Sequence, residues 1–365
     1  MDLVELSKKL ISYQSNHKNS EELKACLDFC SEFFEDTGLL QKRYLSKGVE
    51  SLVILTHDTI EPNVLLLGHI DVIPAPAEYF SPRVEDDRLY GIGSLDMKAF
   101  VATSMILMRE IQDINPDLKI ALAIVTDEES GGHNGTQYLA ETIGYKPGVV
   151  LVPDDGEDIN NLVVETKHIL QVRLVSKGKA SHACQPWYGS NAIDTLINAY
   201  TKFKHMLPEN INIQPDQGEW VSTVNVGVIK GGIAINEVPD NASIDIDIRL
   251  VFPMTKQDIL NILDTVTSEN VTYEIISEGY PTNLDINNPI IKTYYDSITS
   301  VIGSKANLFK SGGGTDGRYF SALGIPVIVH QGAGGNCQSY DEYISISSQK
   351  QLLDIQKNFL KNLKL

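Results

Sequence analysis

The stretch NVLLLGHIDV (63–72) decides how the chain is read. Its apolar run, Val64–Leu67, is short, uninterrupted and closed by a glycine, the pattern of a strand buried on both faces. His69 and Asp71 follow, two residues apart, so that on an extended strand both side chains point to one face. Asp71 can then accept a hydrogen bond from one ring nitrogen of His69 and leave the other for a metal ion. Alone, a His-x-Asp is weak evidence, and a structural pair is the plainer alternative.

Similar runs lie on either side: SLVILT (51–56), KIALAIVTD (119–127), GVVLVPD (148–154) and IPVIVH (325–330). Residues 2–13, 20–37, 98–112, 134–143, 287–302 and 347–362 carry apolar positions at helical spacing. Buried strands alternating with helices predict an α/β layer architecture, with sites at the strand ends. Between about 166 and 279 the pattern changes. ILQVRLVSKG (169–178) and ASIDIDIRLV (242–251) alternate with period two, as half-exposed antiparallel strands do. Helical spacing over 189–205 and 255–267 and a strand at 271–277 complete an α+β insert. The expectation is a discontinuous catalytic domain, 1–165 and 280–365, interrupted by a smaller domain, 166–279.

The 365 residues suit two domains, and 42% hydrophobic with 21% charged residues is a globular composition. A net charge of −18 argues against nucleic acid and anionic membranes as partners. The first residues, MDLVELSKKLISYQSN, do not read as a signal peptide, and no apolar run matches a membrane span. Cys26, Cys30, Cys184 and Cys337 have neither disulfide-framework nor zinc-ribbon spacing, which predicts a reducing, cytoplasmic setting.

Three more strand ends or loops carry acids. Asp96 lies in GIGSLDMKAF (91–100) just before a helix, where a capping role is the plainer alternative. Asp127, Glu128 and Glu129 end one buried strand, and Asp154 and Asp155 follow another. Adjacent carboxylates repel and need cations or solvent. Taken singly, these are loop acids and an Asp-Gly turn. Taken together, carboxylates and an imidazole at the mouths of several strands form a donor set for a divalent cation. No glycine-rich nucleotide fingerprint is present.

In order and spacing, GHIDV, YGIGSLDMK, TDEESGG, PDDG, GGGTDGR and SYDEYI resemble the family of aminoacylase, acetylornithine deacetylase, succinyl-diaminopimelate desuccinylase and glutamate carboxypeptidase. The resemblance implies a mixed-sheet, zinc-peptidase-like catalytic domain with an inserted lid and dimerisation domain. It implies a homodimeric amidohydrolase acting on a small N-acyl amino acid or peptide, with one or two Zn2+ ions, Co2+ or Mn2+ being alternatives. His69 and Asp154 would hold the first metal, with Asp155 an alternative one residue on. Asp96 would bridge, Glu129 would bind the second metal, Glu128 would be the general base and Asp71 would orient His69. SKGKASHACQP makes His182 the oxyanion donor, reaching a partner's site in dimeric relatives. The Asn-x-x-Pro…Arg pattern nominates Asn236 and Arg249 for the substrate, an Arg fork suiting a carboxylate. SGGGTDGR supplies Gly313 and Gly314, whose backbone can approach a substrate closely. GGGTDGR and EESGGHNGT lean toward the desuccinylase and acetylornithine types.

One position departs from the family pattern. Its last metal ligand is a histidine three residues before an Asn/Asp-Glu pair, and here that residue is Gln338. A weakened second metal site, a one-metal enzyme, or a non-catalytic amino-acid-binding relative are the options this leaves. A di- or tripeptidase or carboxypeptidase of the same family is the other catalytic reading.

Overall fold

The computed structural model describes residues 1–208, 211–212 and 219–364. In chain order the first part runs α1 (Leu3–Ile11), α2 (Ser20–Glu32), β1 (Leu40–Ser46), β2 (Val49–Leu55), β3 (Val64–His69), α3 (Lys98–Ile114), β4 (Ile120–Val125), β5 (Val149–Val152) and β6 (Asn161–Thr166). The middle part holds β7 (His168–Lys177), α4 (Ala192–Met206), β8 (Ser222–Gly231), β9 (Asn241–Leu250), α5 (Lys256–Val266) and β10 (Val271–Gly279). The last part holds α6 (Pro289–Ile302), β11 (Asn307–Ser311), α7 (Arg318–Ala322), β12 (Val327–Val329) and α8 (Ile346–Asn362).

The chain forms two compact units, one of Met1–Glu165 with Thr282 onward, the other Thr166–Pro281. In the first, eight strands order as β1-β2-β4-β3-β5-β12-β6-β11. β4, β3, β5 and β12 run parallel, and β2 joins β4 antiparallel. Strand alternation sends each apolar residue to one of two layers. Leu52, Ile54, Leu66, Leu122, Ile124 and Leu151 pack with α1, α2, α3, α6 and α8, whereas Val53, Leu65, Leu67, Val125 and Val150 face Tyr145, Tyr319 and Phe320. Each buried aliphatic side chain contributes about 1.5–3 kcal/mol, so this double burial dominates the stability of the sheet. The parallel strands all end at one edge, where the chain must turn over the sheet, and that edge carries the acids.

In the second unit β8, β9, β7 and β10 form an antiparallel sheet. Every second residue of β7 and β9 is buried, and Leu170, Val172, Leu174, Ile244, Ile246 and Ile248 pack under α4 and α5. A capping box between Thr255 and Asp258 starts α5.

Three local expectations change. The segment 134–143 is only a π-type turn over Tyr138–Ile143, ended by Gly144 in the left-handed region. β1, β6, β8 and β11 join the strands read from the sequence, and β1 is an edge strand with no buried residue. The strand 325–330 shortens to Val327–Val329. No helix among the described residues is long and apolar enough to cross a membrane.

Candidate metal centre

His69 is the last residue of β3 and is 1% exposed. Its Nδ1 donates to the main-chain oxygen of Asp71 at 2.9 Å, which turns Nε2 toward the edge of the sheet. There Nε2 meets Asp96 Oδ1 at 3.0 Å, Asp154 Oδ1 at 3.7 Å and Glu128 Oε2 at 3.9 Å. One ligand atom each from His69, Asp96 and Asp154 lies within 4.8 Å of the others. Among the described residues this is the one set of three or more His, Cys, Asp or Glu side chains so close together.

The expected contact of the Asp71 carboxylate with His69 is kept as an ion-pair distance, while the hydrogen bond itself goes to the Asp71 main chain. The chain leaves the strand after His69, so the Asp71 carbonyl takes Nδ1 while Oδ1 stays 3.5 Å away. Oδ2 instead accepts the main-chain N–H of Glu129 at 2.9 Å, tying the loop after β4 to the end of β3. Of the two adjacent acids after β5, Asp154 faces His69. Asp155 is turned to the Ser311 hydroxyl and accepts the N–H of Gly156 at 2.7 Å. Gly313 lies alongside, where a Cβ would come within 3.0 Å of Asp155 Oδ2. Gly314 follows it in the chain.

The electrostatics are those of negative charge short of a counter-ion. Burial, with the charge of Asp96, lifts Asp154 to about 7, and His69 offsets only part of this. Burial likewise lifts Glu129 to about 8 and Glu128 well above the carboxylate range, with Asp316, Asp154 and Asp96 adding to Glu128. Burial opposes the charging of His69, yet Asp154, Asp71 and Asp96 together raise it well above its ordinary value. A hard or borderline divalent cation removes this mutual repulsion, and one imidazole with two carboxylates is a fitting donor set.

Two supports were not assigned from sequence. Glu342 is 1% exposed, and its carboxylate accepts the N–H groups of Leu95 at 2.6 Å, Asp96 at 3.0 Å and Gly93 at 3.3 Å. It therefore fixes the loop that delivers Asp96. Asp316 is buried behind the loop after β4, accepts from Thr136 Oγ1 at 2.6 Å and lies 3.5 Å from Arg318. Gly132 adopts φ 67°, and a Cβ there would come within 2.1 Å of Asp316 Oδ1, so only glycine fits. The acid-pair and Asp-Gly-Arg motifs were visible signals; their partners were not.

At the outer side, the Gln338 side-chain nitrogen donates to Asp96 Oδ2 at 3.0 Å and lies 3.3 and 3.4 Å from the Glu129 oxygens. The Cys337 thiol approaches the same Asp96 Oδ2 at 3.6 Å.

The other nominated residues lie in the second unit. His182 is exposed, with Nδ1 accepting the N–H of Cys184 at 3.1 Å. Its strand pairs with Glu237–Val238, and the Ala183 N–H donates to Asn236 O at 2.9 Å, so His182 and Asn236 are neighbours. Arg249 forms a two-pronged pair with Asp247, Nε–Oδ1 2.7 Å and Nη2–Oδ2 3.1 Å.

Fold and site together define a metal-dependent hydrolase. The chain belongs to peptidase family M20/M25/M40, whose sequence profile matches residues 65–362. It is 31% identical over 232 residues to a probable carboxypeptidase of Aspergillus terreus, a match covering 60% of this chain and 54% of that protein. The chain thus spans about half the length of that relative. It is 27% identical to a succinyl-diaminopimelate desuccinylase of Pseudoalteromonas translucida, covering 91% and 89% of the two chains. A metallo-carboxypeptidase structure from Sulfolobus solfataricus superposes with TM-score 0.79 over 99% of each chain at 19% identity, a likeness of fold.

Proposed function

We propose that this chain hydrolyses the amide bond of a small N-acyl amino acid, as acetylornithine deacetylase and succinyl-diaminopimelate desuccinylase do. The observation that carries the reading is the position of Glu128 Oε2, 3.9 Å from His69 Nε2, beside the His69–Asp96–Asp154 donor set. A divalent ion, Zn2+ or alternatively Co2+ or Mn2+, would supply Lewis acidity to the scissile carbonyl and make water at the site more acidic. His69, Asp96 and Asp154 would hold that ion, and Asp71 would keep the His69 and Glu129 segments in register. Glu128 would accept the proton of the attacking water and return it to the leaving nitrogen.

On this reading the insert is the lid and dimerisation domain of a cytoplasmic homodimer. His182 would donate to the developing oxyanion, and Asn236 and the Gly313–Gly314 backbone would contact the substrate. Arg249 would bind a substrate carboxylate only by sharing or leaving Asp247. A carboxypeptidase or small peptidase is the second reading, favoured by the fungal relative's name. The test is a panel of acetyl- and succinyl-amino acids, dipeptides and tripeptides assayed with Zn2+, Mn2+ and Co2+. Turnover confined to N-acyl amino acids supports the first reading and turnover confined to peptides the second. Binding without turnover under every ion overturns both.

A further inference from the structure

We propose that the side-chain amide of Gln338 stands in for a second cation, so that the centre holds a single divalent ion. The inference rests on His69, Asp96 and Asp154 being that ion's ligands. Asp96 is divided between two tasks. Its Oδ1 faces His69 and the inner donor set, whereas its Oδ2 accepts from both Gln338 Nε2 and the Cys337 thiol. A carboxylate that bridges two ions needs a lone pair of each oxygen directed at metal. Both oxygens face protein donors, but the partners differ: the inner one is an imidazole nitrogen, which offers a metal its lone pair once deprotonated, and the outer one is an amide NH2, which has none to offer.

Glu129, the other acid on the outer side, lies against the same amide through both oxygens. An amide NH2 has two donor hydrogens and no lone pair for a metal. Between two carboxylates it supplies the partial positive charge that an ion would otherwise bring. Turning the amide over would place its oxygen against Asp96 and Glu129, where it repels both.

The loop is built to hold the amide there. Gln338 and Asn336 both have left-handed backbones, φ 56° and 57°, which side chains with a Cβ rarely adopt. The Asn336 carbonyl accepts from Ser339 N at 3.0 Å and Ser339 Oγ at 2.7 Å, and Asn336 Nδ2 donates to Asp341 Oδ2 at 2.8 Å. Strain retained by such bonds next to reacting groups points to a positional role.

His330, eight residues before Gln338 in the chain, does not replace the ligand. The His330 ring nitrogens are taken by Tyr294 Oη at 3.0 Å and the Ile159 carbonyl at 2.8 Å.

The test is a count of ions. Chelator-stripped full-length protein is titrated with Mn2+ and with Zn2+, the bound ion is counted by elemental analysis, and the Mn2+ form is examined by electron paramagnetic resonance. The expected result is one ion per chain and a spectrum without exchange coupling. Gln338→His and Gln338→Glu, each giving the outer position a lone pair, should raise the count to two and introduce coupling. Two ions in the unaltered chain overturn the proposal. So does a count that stays at one in both variants while their thermal melts remain cooperative. No ion at all in the unaltered chain overturns the ligand assignment itself, and this inference with it.

Discussion

The carboxylate of Glu342 sits beneath the backbone of Asp96 and accepts its N–H at 3.0 Å, together with the N–H groups of Leu95 and Gly93. A residue from one end of the chain thereby sets the height of an acid near the middle of the first unit. Glu342→Ala would leave three N–H groups without their acceptor, at about 1–3 kcal/mol for each that stays buried and unpaired. Divalent-ion affinity should fall about 10–100-fold, the usual effect of losing a support behind a ligand. Chelator competition reads this. Unchanged affinity would mean that the loop holds Asp96 without help.

Glu128→Gln keeps the shape of the side chain and removes the proposed base. Turnover should drop roughly 100- to 10,000-fold while bound metal, measured on the same sample, stays level. A variant that loses metal and keeps its rate would contradict the assignment.

Asp154 and Asp155 are separated by the same change. Asp154→Asn should lose metal, because its Oδ1 is the one turned toward His69. Asp155→Asn should keep it, since that side chain is committed to Ser311 and Gly156. The opposite pattern in elemental analysis would reassign the ligand.

His330 gives a pH dependence apart from the metal centre. It is fully buried, and burial lowers its pKa from 6.5 to about 4. The unfolded chain therefore binds a proton below pH 6.5 that the folded chain refuses until about pH 4. Its stabilising effect is complete above the upper value and is lost as pH falls toward the lower one, in total about 3 kcal/mol. Denaturant melts across this window should fall less steeply for His330→Phe than for the unaltered protein, even though the variant is weaker throughout. Parallel slopes would show that His330 is not the titrating group.

Much of this arrangement was legible in the sequence, and for physical reasons. Val64–Leu67, Ile120–Val125 and Val149–Val152 are buried on both sides, so their composition is uniformly apolar. β1 and β8 escaped notice because partly solvated strands need no apolar run. Glu128, Glu129 and Asp96 stood out by charge and position. The choice between Asp154 and Asp155 was not legible, because it is made by Ser311, a residue remote in the chain. Asp71 was read through an extended geometry that the chain abandons one residue after His69. The Glu342 role depends on backbone N–H groups, which carry no sequence signature.

The bond from the Glu129 N–H to Asp71 Oδ2 joins two loops that leave different strands of the sheet. Moving one without the other costs that bond, about 1.5–3 kcal/mol for a hydrogen bond to a charged group. An arriving ion meets donors already preorganised, and the work of gathering them falls on the folding of the sheet instead of on the capture of the ion.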